Sequence, residues 1–203
     1  MNNSQTKFFN TKNITYLAIL TALLIVLNLL STVFKVITNI NLTLIPIVLG
    51  ALLLGVKGGF ILGLISGLMT FVFGVTGLDD FTNFLFTQHP ILTFLICTVK
   101  ITVAGILGGV IYNFFKDKNK YVATFLASAI VPIVNTTIFI LGALTMFDTF
   151  SGLSSNKGVS VMYYLIILCA GVNFLIELAV NLIVAPAIHS VINVLEKNVF
   201  KSR

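Results

Sequence analysis

Ile14-Thr15-Tyr16-Leu17-Ala18-Ile19-Leu20-Thr21-Ala22-Leu23-Leu24-Ile25-Val26-Leu27-Asn28-Leu29-Leu30-Ser31-Thr32-Val33 is a run of 20 residues with no charged side chain. About 20 apolar residues in helical form cross the roughly 30 Å hydrocarbon core of a bilayer. The run is too long for a signal-peptide core and has no small-residue cleavage site, so it reads as a retained transmembrane helix. Ala18 and Ala22 fall four apart within it and share one helical face. Removing side-chain bulk from one stripe lets another backbone approach closely, and in lipid such a stripe is a docking surface.

The rest of the chain has the same character. Of its 203 residues 58% are apolar and 9% charged, with a mean hydropathy of +1.09. Soluble domains carry about 25% charged residues, so the composition belongs to an integral membrane protein, read as one domain over residues 1–203. The net charge of +6 does not point to nucleic acid, because the cations gather at span ends, as topology signals do. Cys97 and Cys169 both lie inside apolar segments and read as buried free thiols.

Six apolar blocks separate along the chain, which predicts an all-α bundle of six transmembrane helices. The first is expected from Asn13 to Val36, before a polar break at Thr38-Asn39-Ile40-Asn41. The second, Leu42 to Leu54, is short, and Pro46 near its start predicts a tilted or partly irregular helix. A turn at Gly55–Gly59 leads to a third, also read as short, ending near Gly74. A polar loop is expected from Thr76 to Pro90. The fourth span runs from Ile91 to Phe115, the fifth from Tyr121 to Met146 with Pro132 inside it. After a loop from Phe147 to Gly158, the sixth covers Val159 to Leu195.

With six spans, Lys7, Lys12, Lys57, Lys116, Lys118, Lys120, Lys197, Lys201 and Arg203 fall on one side, and only Lys35 and Lys157 on the other. Cytoplasmic loops carry the excess of Lys and Arg. Both termini are therefore expected in the cytoplasm, with Asp79, Asp80, His89 and Asp148 in outward loops.

Few residues within the spans are suited to chemistry. Gly59, Gly63 and Gly67 form a small-residue ladder explained by tight helix packing, and Gly105, Gly108 and Gly109 read the same way. Lys100 lies about nine residues below the outer end of its span, about 14 Å deep at 1.5 Å per residue. A charge at that depth faces the protein interior and needs a partner. That partner is either a structural ion pair or carbonyl, or an anionic group of a ligand. Glu177 shares a face with Asn173 and Asn181 at four-residue spacing, serving either as a packing clamp or as ligand contacts, with Asn181 expected only to pack. Glu177 is also a candidate partner for Lys100, although the two read as offset by a couple of turns. Asn135, beside Thr136 and Thr137, sits near the depth of Lys100, and Pro132 frees a carbonyl there. Lys100, Asn135 and Asn173 are thus expected to line one polar cavity reached from outside, with His89 near its mouth.

No Gly-x-x-x-x-Gly-Lys-Ser/Thr loop is present, so the chain holds no nucleotide that way. No His-Glu-x-x-His or Cys/His cluster suggests a metal, and no Gly-x-Ser-x-Gly elbow suggests a nucleophile. No catalytic residues, metal or cofactor are expected.

These features together resemble the substrate-binding S component of an energy-coupling factor (ECF) vitamin transporter: six helices in about 200 residues, both ends inside, and Ala18-x-x-x-Ala22 on the first helix. Val131-Pro-Ile-Val-Asn-Thr-Thr-Ile-Phe-Ile-Leu-Gly-Ala-Leu-Thr-Met-Phe147 resembles the fifth helix of the pantothenate-type branch. Asn83-Phe-Leu-Phe-Thr-Gln-His-Pro-Ile-Leu-Thr-Phe94, with Lys100 following, is similar too. The resemblance implies a multi-pass protein of the bacterial plasma membrane that works with a transmembrane T subunit and two ATPase subunits. Ala18 and Ala22 would dock on the T subunit, and the whole S component would topple in the membrane during transport. It implies an outward-facing pocket from the fourth to sixth helices, holding a vitamin-like small molecule on Lys100, Asn135, Thr136, Asn173, Glu177 and His89. For pantothenate, Lys100 would meet the carboxylate and the asparagines the amide and hydroxyls. Riboflavin and pyridoxine-like ligands remain open, though the absence of Trp disfavours the flavin. A different class of reading is a solitary secondary transporter coupled to protons through Glu177; a structural membrane protein and an intramembrane enzyme rank below it.

Overall fold

The computed structural model describes residues 10–34 and 41–201. The expected end of the first span at Val36, Thr38, Asn39 and Ile40 of the polar break, and Lys7, Lys35 and Arg203 lie outside the described residues. The chain order is α1 (Thr11–Phe34), α2 (Leu44–Leu53), α3 (Gly55–Val75), α4 (Asp80–Gln88), α5 (Pro90–Phe115), α6 (Lys120–Leu144), α7 (Phe147–Ser155), α8 (Val161–Tyr163), a π-helical segment (Tyr164–Gly171) and α9 (Val172–Lys201).

Five stretches are long and apolar enough to cross a bilayer: Thr11–Ser31, Gly55–Val75, Pro90–Phe115, Lys120–Leu144 and Val161–Leu195. The third apolar block, read from sequence as short, is therefore a full-length span of 21 residues. The second is not: α2 has 10 residues, about 15 Å at 1.5 Å per residue, half the hydrocarbon thickness. Pro46 does not distort it. The proline occupies the first helical turn, where the missing N–H would have had no partner.

The short helix still belongs to the bundle. Leu44, Ile47, Val48 and Ala51 are wholly buried, and Gly55, with φ +68°, turns the chain so that α2 runs back along α3. The two are paired over only half of α3: Gly58 abuts the carbonyl of Gly50 at one end, and Thr43 Oγ1 meets Ser66 Oγ at 3.2 Å at the other. α2 thus begins near the middle of the bundle.

α3 and α5 form the most extensive helix pair. A Cβ added at Gly59 would stand 2.1 Å from the carbonyl oxygen of Gly105, one at Gly63 2.7 Å from that of Ile101, and one at Gly67 2.7 Å from Cα of Thr98. The two glycine ladders read separately in the sequence are one contact. Lipid supplies no hydrophobic force between helices, so close van der Waals packing has to hold them.

Both expected polar loops are largely helical. Asp79 caps α4, its side chain accepting the N–H of Thr82, and α7 occupies most of Phe147–Gly158. Polar side chains on one face of short helices look like loops when read only for hydropathy. α6 continues through Pro132 without a break.

Two apolar cores stack along the bundle. One gathers Leu24, Ile47, Leu62, Ile101, Val131 and Ile188; the other gathers Leu85, Ile96, Met146, Phe150 and Leu165. On α5, α6 and the last span the stretches between these clusters carry Lys100, Asn135, Thr136, Asn173 and Glu177. The α2–α3 turn with Lys57 meets the end of α5, where a Cβ on Gly55 would lie 3.7 Å from Asn113. His189 of α9 packs edge-on to Tyr121 at the start of α6. One end of the bundle therefore collects Lys57, Lys116, Lys118 and Lys120, and the other collects Asp79, Asp80 and Asp148.

Candidate functional site

Between the two cores lies a cavity of about 330 Å³. It lies beside the acidic-end half of α3, beyond the start of α2 at mid-bundle. Lys100, Asn135, Thr136, Asn173 and Glu177, singled out from sequence, all line it. His89 does not: its ring Nε2 lies 3.0 Å from Thr149 Oγ1 and ties the α4–α5 junction to α7. Asn181, expected only to pack, is buried outside the lining, with its amide donating to the Glu177 carbonyl at 2.8 Å.

The lining also includes residues not singled out: Asn28 and Ser31 of α1, Asn41 ahead of α2, Thr70 and Phe73 of α3, and Asp79 at the acidic end. Asn28 had a usable signal, a lone amide in an uncharged 20-residue run. Asn41 had none, because its place depends on how the chain re-enters the bundle.

Lys100 comes from the α5 wall. The register of α5 on α3 puts it between the Gly63 and Gly67 contacts, level with Ser66. Its Nζ stands 5.3 Å from the centroid of the Phe139 ring, a cation–π geometry. Glu177 comes from the α9 wall, is 7% exposed, and its Oε1 accepts the backbone N–H of Asn41 at 3.2 Å. Thr43 is bonded to Ser66 and Asn41 to Glu177, so both charges sit close to one level, not a couple of turns apart as their sequence positions suggest. Among the described residues they nevertheless form no ion pair.

Asn135 lies on α6, which packs against both α5 and α9 and so comes between the two charges. It is 5% exposed, and its Oδ1 has no hydrogen-bond partner among the described residues. Asn173 donates from Nδ2 to the carbonyl of Cys169 at 3.3 Å, inside the widened π-helical stretch that carries Tyr164, Leu168, Cys169 and Ala170 to the cavity wall. Such π segments are frequent at functional sites. Phe73, Phe81, Phe139 and Phe174 supply apolar wall. The chemistry on offer is recognition of a small polar molecule: one lysine, two carboxylates (Glu177 and, at the acidic end, Asp79), several amides and aromatic faces.

On α1, Leu20, Leu24, Asn28 and Ser31 turn into the bundle, whereas Ala18 and Ala22 are exposed on the opposite side.

The chain matches the family model described as "ECF transporter, substrate-specific component" over residues 12–189. Comparison with curated proteins and comparison with solved structures find no match. The matched region takes in every lining residue of the cavity and the exposed alanine stripe. This multi-pass membrane protein therefore belongs to the substrate-specific component family of the ECF transporters, whose members bind a small molecule and work with the ECF module.

Proposed function

We propose that this chain captures a small organic anion, best matched by pantothenate, and delivers it through an ECF T subunit and two ATPase subunits. The observation that carries this reading is Lys100: a cation inside the bundle, bordering the cavity, with no carboxylate bound to it among the described residues. Retaining a charge within a span is costly, and a ligand carboxylate would offset that cost with a charge-assisted hydrogen bond. Asn135, Thr136 and Asn173 beside it suit an amide and hydroxyls. The cavity volume lies at the low end of the range for small-molecule sites, about 300–1,000 Å³, which favours a compact acid over a flavin.

On this reading the basic end of the bundle faces the cytoplasm, the acidic end admits ligand, and Ala18 and Ala22 meet the T subunit. The chain performs no covalent chemistry, and the ATPases supply the energy. The test is a thermal-shift screen of the purified chain against B vitamins and their precursors. Ligand at a thousandfold excess over its Kd stabilises a fold by about 4 kcal/mol. A shift with pantothenate supports the reading, and a shift with riboflavin or a pyridoxine-like compound alone replaces the cargo.

A second reading has its own observation. Glu177 is a buried carboxylate in the cavity, the residue a proton-coupled solitary transporter would use. Uptake into vesicles holding this chain alone, driven by a pH gradient, would favour it.

A further inference from the structure

In the cavity Lys100 and Glu177 form no ion pair among the described residues. Lys100 stands over Phe139, and Glu177 is held by one backbone N–H from Asn41. A carboxylate group has about four acceptor sites, and one donor leaves most of that capacity unmet in a nearly dry place. The neighbouring unmet atom, Asn135 Oδ1, is an acceptor as well. Glu177 and Asn135 Oδ1 thus present to the cavity acceptor capacity that the described residues leave unmet.

We infer that Glu177 is a specificity-determining residue, and that the ligand is a small carboxylate which also carries hydrogen-bond donors, hydroxyl or ammonium. Lys100 binds the carboxylate; Glu177 and Asn135 Oδ1 accept from the donors. A carboxylate without donors leaves two buried acceptors unpaired, which is how polar sites reject analogues lacking a hydroxyl. A donor without a carboxylate meets the uncompensated charge of Lys100. This inference rests on the cavity being the ligand site proposed above, and adds the requirement for the second group.

The test is isothermal titration of the full chain in detergent with four probes. They are pantothenate, N-(3,3-dimethylbutanoyl)-β-alanine (the same acid without hydroxyls), pantothenol (the hydroxyls without the carboxylate) and γ-aminobutyrate (a carboxylate with an ammonium). Wild type is expected to bind pantothenate at least about tenfold more tightly than its hydroxyl-free analogue. Glu177→Gln, whose side-chain oxygen can still accept from Asn41, is expected to weaken pantothenate and leave the analogue unchanged, so that the ratio falls toward one. Equal affinity of wild type for the two acids overturns the inference without any variant. Equal weakening of both acids in the variant also overturns it and leaves Glu177 as a latch on Asn41, with the pantothenate reading intact. Binding of γ-aminobutyrate with the same dependence on Glu177, and none of pantothenate, upholds the inference and overturns that cargo. No binding of any probe overturns both.

Discussion

Thr43 Oγ1 stands 3.2 Å from Ser66 Oγ, which fixes the start of α2 against the middle of α3. The hydroxyl pair marks the level at which the first apolar core gives way to the cavity. On one side α2 supplies Leu44, Ile47, Val48 and Ala51 to a dry core. On the other, polar side chains from α1, α5, α6 and α9 line the cavity.

The cation in that space should read anionic ligands. Lys100→Met is expected to weaken pantothenate by about 1.5–3 kcal/mol, the worth of a hydrogen bond to a charged group, or about ten- to a hundredfold in Kd. Pantothenol should lose far less. Titration of both ligands checks this, and equal losses would assign Lys100 to structure.

Asn135→Ala should separate binding from stability. Because Oδ1 has no partner among the described residues, that half of the amide contributes no hydrogen bond to be lost. The unfolding midpoint without ligand is expected to change little, whereas binding weakens by about 1–3 kcal/mol. Thermal unfolding with and without ligand measures both.

The alanine stripe should separate binding from transport. Ala18 and Ala22 are exposed, so replacing both with Leu leaves the interior untouched while blocking close approach of a partner helix. Uptake by cells carrying the ECF module is expected to be abolished, with the Kd of the purified chain unchanged. Loss of binding as well would show that the stripe serves the fold.

The α3–α5 contact should tolerate no side chain. A Cβ at Gly59 meets backbone, which cannot swing aside, so Gly59→Leu is expected to cost at least the 1–3 kcal/mol typical of overpacking, about that order or more. Gly152 in α7 has nothing within 4 Å of an added Cβ. Gly152→Ala should be neutral, or stabilising by about 0.5–1 kcal/mol through helix propensity. Unfolding midpoints of the two variants provide the comparison.

The sequence alone determined the membrane character, the helical class, four of the five full spans, and Lys100, Asn135, Thr136, Asn173 and Glu177 among the polar residues around the cavity. Those follow from local rules: a long uncharged run has to cross lipid as a helix, and a charge or amide within it has to turn inward. Lys100, Asn135 and Asn173 were legible for that reason, and Asn28 carried the same signal.

Tertiary structure alone decided the rest. That Gly59 faces Gly105, that α2 covers half of α3, and that Asn41 reaches Glu177 across 136 positions of sequence all depend on helix register, which hydropathy does not encode. His89 shows the same limit. Its place beside Pro90 suggested the cavity mouth, yet packing of α7 gave it Thr149 instead. Depth along a span can be counted residue by residue, but which walls meet, and at what level, is set by side-chain packing between helices distant in sequence.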